Sequence, residues 1–600
     1  MTLPRLALLA SLLAALPLSA SSASGAAVQQ PAAKALETRV DALFAKWNKP
    51  GVPGAALVVV RDGKVVLRKA YGMADIERGV RMSPDAILNA GSVTKQFTAF
   101  SIELLAQEGR LALGDDVHKY LPELPDFGKA ITLRHLLQHT SGLRDPINLM
   151  VLGGWRLDDI VTEDDTLAII GRQRALNFTP GDEYLYSNAG YNLLAEVVKR
   201  VSGKPLAAFV RERIFAPLGM KHSSFREDYR SLVPGRALSY QAAPEGGGYL
   251  NVPENHAGVG PGGLLTTVDD LALWDRNFYD AKVGGKDLIA RMQETTPLND
   301  GKPNRYASGL FIENYRGRKL VEHSGGIGGY RSVLARYPDQ GLSVILLANG
   351  SDVSTVSLGR KVADLYLDGA TADGPAEPAA APASARAVDI DPARFDALLG
   401  YYALTPQEGM TIAREGGILT ARVSGQDAFR LYPTAEREYF LKVVDARVSF
   451  NAPGADGVVA GLVLHQDGRD VPAARSATPL PPKAEDYTGE FYSDELHVLY
   501  TVALKDGHLV LTHPRGTVPL DYTGKDSFVA AFPIAQVRYQ CAPQAGCSGF
   551  SVTNGRVRGL QFAKVAVLAP GARAAAATGI FLKPETEAIA KAAAQAQPGT

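Results

Sequence analysis

The chain has 600 residues, too many for one ordinary core, and 46% of them are hydrophobic, which places it among multidomain globular proteins and outside the disordered class. Lysine plus arginine and aspartate plus glutamate each number 63, so no global charge recruits nucleic acid or an anionic lipid surface.

The opening stretch, MTLPRLALLASLLAALPLSASSASGAA, carries Arg5, an apolar run from Leu6 to Leu18, and then small residues. That order reads as a signal peptide over 1–26, with cleavage after Ala23 or Ala26. The run is too short to span a bilayer comfortably, and no later stretch reaches about 18 apolar residues, so no membrane span is expected after cleavage. An exported protein, periplasmic or secreted, follows, with an uncleaved anchor as the alternative. The next segment, LETRVDALFAKWNKPG, places Val40, Leu43, Phe44 and Trp47 at helical spacing. AALVVVRDGKVVLRKAYG then reads as a β-hairpin turning at Asp62-Gly63.

GSVTK at 91–95 sets Ser92 three positions before Lys95, where an apolar, helix-like run begins. Residues three apart on a helix share a face, so Lys95 Nζ can reach Ser92 Oγ. A serine in the first turn also has its own N–H among the unpaired donors of the helix N-terminus, which favour developing negative charge. Val93, Phe97, Phe100 and Leu104 pin the helix into a core. A lysine there opposes the helix dipole; desolvation would lower its pKa and let it handle a proton. Taken alone, the same residues also describe a serine cap with a solvated lysine.

From Ser92 to about Thr267 the pattern is mainly helical. His135 and His139 in HLLQH have the spacing of a zinc helix. Leu136 stands where a metalloprotease has its glutamate, so core or capping histidines, no metal and no cofactor are expected. In YSNAGYNLL, Tyr186 and Asn188 precede a helix. A tyrosine beside a lysine can have its pKa lowered and act as general base, and an asparagine amide can hold a substrate carbonyl and the lysine together. GVGPGG at 258–263 lacks the context of a dinucleotide loop and is read as wrapping a substrate cleft. No serine sits in a Gly-x-Ser-x-Gly elbow.

RKLVEHSGG, SVLARY and LSVILLANG return to strands. With the early hairpin they suggest one antiparallel sheet closed by the N- and C-terminal segments, helices packed on it, and a site at the seam. His323-Ser324-Gly325-Gly326 is read as a strand end with the side chain at 323 accessible and the backbone at 325 and 326 open to close approach. Such an edge can supply an oxyanion donor and pair with an extended substrate.

An Ala/Pro-rich linker at 368–393 separates 27–367 from β-like runs that repeat. LGYYAL at 399 resembles TGEFYS at 488, REGGILTARV at 414 resembles KDGHLVLTHP at 505, and DGVVAGLVLH at 456 resembles NGRVRGLQFA at 554. Two small all-β, barrel-like modules are expected, at 394–477 and 484–568, with a tail at 569–600. The two cysteines, Cys541 and Cys547, can form a local disulfide in an exported chain or remain two thiols.

Ser-x-x-Lys, Tyr-x-Asn and His-Ser-Gly-Gly, in this order, resemble the signature of the penicilloyl-serine hydrolases: class C β-lactamases, DD-peptidases, esterases and D-aminopeptidases. The resemblance covers about 36–365 and includes ITLRHLLQHTSGL, IFAPLGMKHSSF and GPGGLLTTVDDLALW. It implies a β-lactamase-like α/β catalytic domain in which Ser92 is acylated and Lys95 with Tyr186 manages the proton. It further implies that Asn188, His323, Ser324 and Gly325 bind substrate, while the backbone N–H groups of Ser92 and Gly326 form the oxyanion hole. Where many relatives carry lysine in the third motif, this chain has His323, so a fixed cation is missing. The layout is similar to three-domain D-aminopeptidases, in which a loop of the last barrel reaches the active site. The implied partner is a small peptide, amide or ester. Amide hydrolysis, of an N-terminal D-amino acid among others, leads; esterase, β-lactamase or DD-carboxypeptidase action and a non-catalytic peptidoglycan- or peptide-binding role are the alternatives.

Overall fold

A computed structural model describes residues 25–243, 247–367, 387–405, 408–442, 444, 446–466, 469–542 and 546–565. Most of the expected signal peptide, most of the linker and all of the tail lie outside the described residues.

The sequence run AALVVVR is apolar throughout rather than alternating, which is the mark of a strand covered on both faces. It forms β1 (Ala55–Arg61), followed by β2 (Lys64–Tyr71). The hairpin turns at Asp62 (φ 50°) and Gly63 (φ 72°), the two left-handed positions of the tight turn that matches strand twist. Late in the domain come β3 (Phe311–Tyr315), β4 (Arg318–Ile327), β5 (Tyr330–Tyr337) and β6 (Leu342–Ala348). The sheet order is β3-β4-β5-β6-β1-β2, all antiparallel, so the first strand pairs with the last. The closure expected from the sequence is present.

Alternate residues of β1 serve two cores. Ala55, Leu57 and Val59 pack with Val40 and Phe44 of α1 (Gly25–Phe44) and with Leu358 and Val362 of the C-terminal helix Thr355–Tyr366. Ala56, Val58 and Val60 face the helical lobe. There α2 (Lys95–Gln107) is buried from Lys95 to Leu105 and packs on α3 (Asn188–Ser202). Strand β4 pairs with β3 only as far as Glu322, whereas it pairs with β5 along to Ile327. Among the described residues, 323–327 therefore have one edge with no strand partner, and that edge borders the seam between sheet and helices.

Beyond the linker stand two nine-stranded antiparallel sheets, Gly400–Ala403 through Arg469–Ser476 and Gly489–Ser493 through Val557–Val565. In strand order of appearance each runs 4-3-2-1-9-8-7-6-5. The two edge strands are consecutive in the chain, so each sheet curls into a nearly closed barrel. The first two repeat matches fall on equivalent strands, but the third does not. DGVVAGLVLH spans the turn before strand eight, whereas NGRVRGLQFA spans the turn before strand nine. Both are Xaa-Gly hairpins, and hairpin chemistry alone aligned them one strand out of step. Cys541 and Cys547 are bonded across the hairpin of strands seven and eight.

Among the described residues no helix is long and apolar enough to cross a membrane.

Candidate active site

Gly91–Thr94 forms a 3-10 turn that runs straight into α2. In a 3-10 turn residues three apart eclipse one another, which brings Lys95 Nζ to 3.1 Å from Ser92 Oγ. Lys95 is fully buried. Its other two partners are carbonyls: Asn188 Oδ1 at 2.9 Å and the backbone oxygen of Pro261 at 2.9 Å. Burial lowers the Lys95 pKa well below the ordinary lysine value; Asp145 opposes this and Arg556 adds to it. A neutral amine has two hydrogens and one lone pair. Two carbonyls take the hydrogens, and the lone pair is left for the Ser92 hydroxyl proton. That is the geometry of a base poised on a nucleophile.

The turn at 91 and strand β4 meet without side chains between them. An added Cβ at Gly91 (φ 51°) would lie 2.6 Å from Gly326 N, and one at Gly325 would lie 2.8 Å from Ser92 N and collide with the Ala90 carbonyl. Two glycines thus let the backbone amides of Ser92 and Gly326 come to one place, as two donors to a single oxyanion require.

Tyr186 is half-buried, its ring centroid 4.8 Å from Lys95 Nζ. Its surroundings raise its pKa: burial is the largest cause, and the Ser92 hydroxyl and Arg556 offset only part of it. The expected lowering beside a lysine is therefore corrected. With its pKa raised by burial, Tyr186 is a phenol suited to passing a proton between its neighbours. His139 packs against it with ring centroids 4.1 Å apart and accepts from the Ser187 N–H through Nδ1 at 3.3 Å. His135 accepts from the Thr132 N–H at 3.2 Å, as the return half of a helix capping box.

Asn188 is oriented from behind. Asp145 Oδ2 accepts from its backbone N and from its Nδ2, both at 2.9 Å, which turns Oδ1 toward Lys95. Asp145 itself is the N-cap of the helix Pro146–Leu152 and its Oδ1 accepts from Ile147 N and Asn148 N. The sequence reading missed Asp145. "RDP" signals a helix start, with proline at the first helical position, but nothing local says which distant amide the aspartate will hold.

His323 departs most from expectation. It is buried, 1% exposed, rather than accessible, and β4 continues past it to Ile327 instead of ending. Side chains alternate along a strand, and 323 falls on the face turned into the ring cluster. Nε2 lies 2.8 Å from Tyr306 Oη and Nδ1 lies 2.6 Å from the Ser324 carbonyl. With a carbonyl beside it, Nδ1 carries the hydrogen and Nε2 accepts from the phenol. Burial first, then the Lys95 charge, pull its pKa down to about 3, so it is neutral and the fixed cation of a Lys-Thr-Gly motif has no substitute at this position. Ser324 and Gly325 are half-buried and Gly326 is exposed along the open edge of β4.

Ser92, Tyr186, Asn188, His323, Ser324, Gly325 and Gly326 line one cleft of about 1280 Å³, with Lys95 buried behind them. Gly258, Pro261 and Gly262 form part of its wall, as read for GVGPGG. So does Asn192, one turn beyond Asn188 on α3, buried and with an Oδ1 that finds no partner among the described residues. The far wall comes from the last barrel: Pro514, Arg515, Phe532 and Arg556. Nothing in the local sequence of those turns marks them as cleft residues.

A profile of the Beta-lactamase family matches residues 33–367, more than half of the chain. Penicillin-binding protein 4* of Bacillus subtilis (strain 168) is 28% identical over 466 residues, covering 75% of this chain and all of that protein. The D-aminopeptidase of Gluconobacter oxydans (strain 621H) is 29% identical over 322 residues, 54% of this chain and 60% of that one, so the match spans well under two thirds of that relative. Among solved structures, the octameric penicillin-binding protein homologue from Pyrococcus abyssi superposes with a TM-score of 0.51 at 24% identity, over 81% of this chain and 99% of that one, a likeness of fold.

Proposed function

This chain belongs to the beta-lactamase family of serine hydrolases, and from that premise we propose that it cleaves an amide through an acyl-enzyme on Ser92. The observation that carries the reading is the set of three partners on Lys95 Nζ: two carbonyls and the Ser92 hydroxyl. Lys95 takes the Ser92 proton as Oγ attacks the carbonyl. The oxyanion forms against the N–H groups of Ser92 and Gly326. The proton then passes, with the Tyr186 phenol as relay, to the departing amine, and water cleaves the ester by the reverse path. Asn188 holds Lys95 and offers its remaining N–H to the substrate amide; the open edge at Ser324 and Gly325 receives the substrate backbone beside His323.

The substrate we favour is a small peptide or amide containing a D-amino acid, release of an N-terminal D-residue being its narrowest form. A relative named D-aminopeptidase supports it. Esterase action is the second reading, since an ester needs less help from the leaving-group proton that Tyr186 relays. Export is supported by the composition of 1–26 and by the Cys541–Cys547 disulfide.

The test is release of p-nitroaniline by the mature protein from D-alanine p-nitroanilide and from its N-acetylated form. Ser92→Ala should lower turnover by at least about 10³-fold, since residues that act as a unit fail together, with an unchanged circular dichroism spectrum. Activity within tenfold of wild type in that variant would remove Ser92 from the mechanism.

A further inference from the structure

Arg556 belongs to the last barrel, yet its guanidinium carbon lies 4.7 Å from the ring centroid of Tyr186, the same ring that Lys95 approaches. It is carried on the tight turn between Gly546–Asn554 and Val557–Val565. That turn is clamped to the catalytic domain. The Arg556 carbonyl accepts from Asn177 Nδ2 at 3.0 Å and from Asp145 N at 3.3 Å, and Arg558 N donates to Asn177 Oδ1 at 2.8 Å. The cation is therefore held at the cleft by its backbone, not by the reach of a long side chain.

Its charge is incompletely matched. Among the described residues its ion-pair partner is Asp145, with Oδ2 3.7 Å from Arg556 Nη1, beyond hydrogen-bond length. Both Asp145 oxygens already accept two N–H groups each. The Arg556 side chain stays 42% exposed, leaving guanidinium donors for the cleft. The other acids of the cleft are engaged elsewhere: Asp158 faces Arg156, with Nε to Oδ1 at 2.8 Å, and Glu254 is buried between Asn89, Arg226 and Arg236. Arg515, from a neighbouring turn of the same barrel, adds a second positive group on that wall and is steadied by donating to the Trp155 carbonyl at 2.8 Å. The third-motif position, where a cation would otherwise stand, is a buried neutral histidine.

We propose that Arg556 is the anion-binding residue of this site, supplied by the last barrel, and that the enzyme prefers amides bearing a carboxylate near the scissile bond over those bearing a free ammonium there. A guanidinium fork pairs with a carboxylate through two parallel hydrogen bonds, and a cleft wall carrying Arg556 and Arg515 attracts an anion and repels an ammonium. The inference rests on the Ser92 acyl-enzyme reading but selects within it against the free-amine, N-terminal D-residue form, in favour of D-amino-acid amides that carry a carboxylate.

Two matched pairs test it in the full mature chain. N-acetyl-D-alanyl-D-alanine against its C-terminal amide places the carboxylate on the leaving side. N-succinyl-D-alanine p-nitroanilide against the N-acetyl compound places it on the acyl side. D-alanine p-nitroanilide supplies the ammonium. In wild type, at least one carboxylate-bearing member should exceed its neutral partner in kcat/KM by tenfold or more, and the free amine should be the poorest anilide. Arg556→Gln should bring that ratio to near one, mainly through KM, and Arg556→Lys should keep part of it. The proposal is overturned if the ratio is the same in wild type and Arg556→Gln, if both members of a pair fall equally, or if the free amine is preferred. Fluorophosphonate labelling separates the two readings. Ser92 labelled with no charge preference defeats the Arg556 proposal alone; Ser92 unlabelled with no substrate turned over defeats the Ser92 mechanism and the proposal with it.

Discussion

The protein makes the charged form of Lys95 expensive, which fits it for the proposed role of base at Ser92. Lys95 is enclosed, with Asp145 as the acid that favours its proton and Arg556 opposing it; His323, His139 and Tyr186, which also face it, are neutral. The consequence for pH has a definite sign. On the proposed mechanism the neutral amine is the active form, so kcat/KM should be retained above the folded pKa of Lys95 and lost as pH falls through it. Removing the Arg556 cation raises that pKa, and the acid limb of kcat/KM in Arg556→Gln should move to higher pH, measured on the neutral N-acetyl anilide. An unmoved limb would mean that Arg556 does not sense Lys95. Stability runs the same way: between the folded pKa and the unfolded value of 10.5 the unfolded chain binds more protons, so the native state gains stability as pH rises through that window.

At the scale of elements, the site is a contact between a 3-10 turn and a strand edge, and glycine permits it. Gly325→Ala inserts a methyl group between β4 and the Ala90–Ser92 backbone, 2.8 Å from Ser92 N. One N–H of an oxyanion pair contributes about 10²–10³ in kcat, so this variant should lose about that factor in kcat. Ser324→Ala, whose Cβ is already present, should lose less than tenfold. Equal effects would show that the β4 edge tolerates displacement. The helix α3 makes a second element-scale contribution: Asn188 and Asn192 stand on one face, four residues apart, and reach the cleft together. Asn192→Leu removes the unpartnered oxygen and should raise KM for peptide substrates with little change in melting temperature.

Across the whole molecule, the last barrel is part of the catalytic domain's structure. Arg144, 1% exposed, donates through Nη1 to both oxygens of Glu495 at 2.6 and 2.5 Å and through Nη2 to the Arg558 carbonyl at 2.9 Å. Tyr500 Oη donates to the Leu152 carbonyl at 2.6 Å, and Leu149, Met150 and Leu152 share a core with Phe491, Val498 and Tyr500. The first barrel is joined in turn to the last through Arg422 and Asp521 at 2.6 Å. Truncation near residue 480 would therefore uncover apolar surface and strand Arg144 as a buried cation, so it tests stability before it tests specificity. Breaking a buried pair costs about 3–5 kcal/mol, and Glu495→Gln should show a loss of that order in urea unfolding. Faster amide exchange over 145–152 and 554–557 should accompany it. A loss under about 1 kcal/mol would mean that the carbonyls of Arg558 and Gly559 alone satisfy Arg144.

The sequence by itself determined the hairpin, the closed sheet, the two repeated β modules and the order of the three motifs, because each depends on patterns within a few residues: strand runs, turn dipeptides, helical spacing. It also placed Ser92 and Lys95 on one face, since three residues of turn fix that distance. Tertiary structure alone decided what those residues experience. Burial turned His323 inward and made it neutral, raised Tyr186 where proximity to a lysine suggested lowering, and put Asp145 behind Asn188. It brought Arg556, more than 350 residues beyond Tyr186 in the chain, onto that ring. Charge environment and long-range contact are sums over neighbours that no local pattern encodes, which is why the Ser92–Lys95 pair was legible in the sequence and the cation opposite it was not.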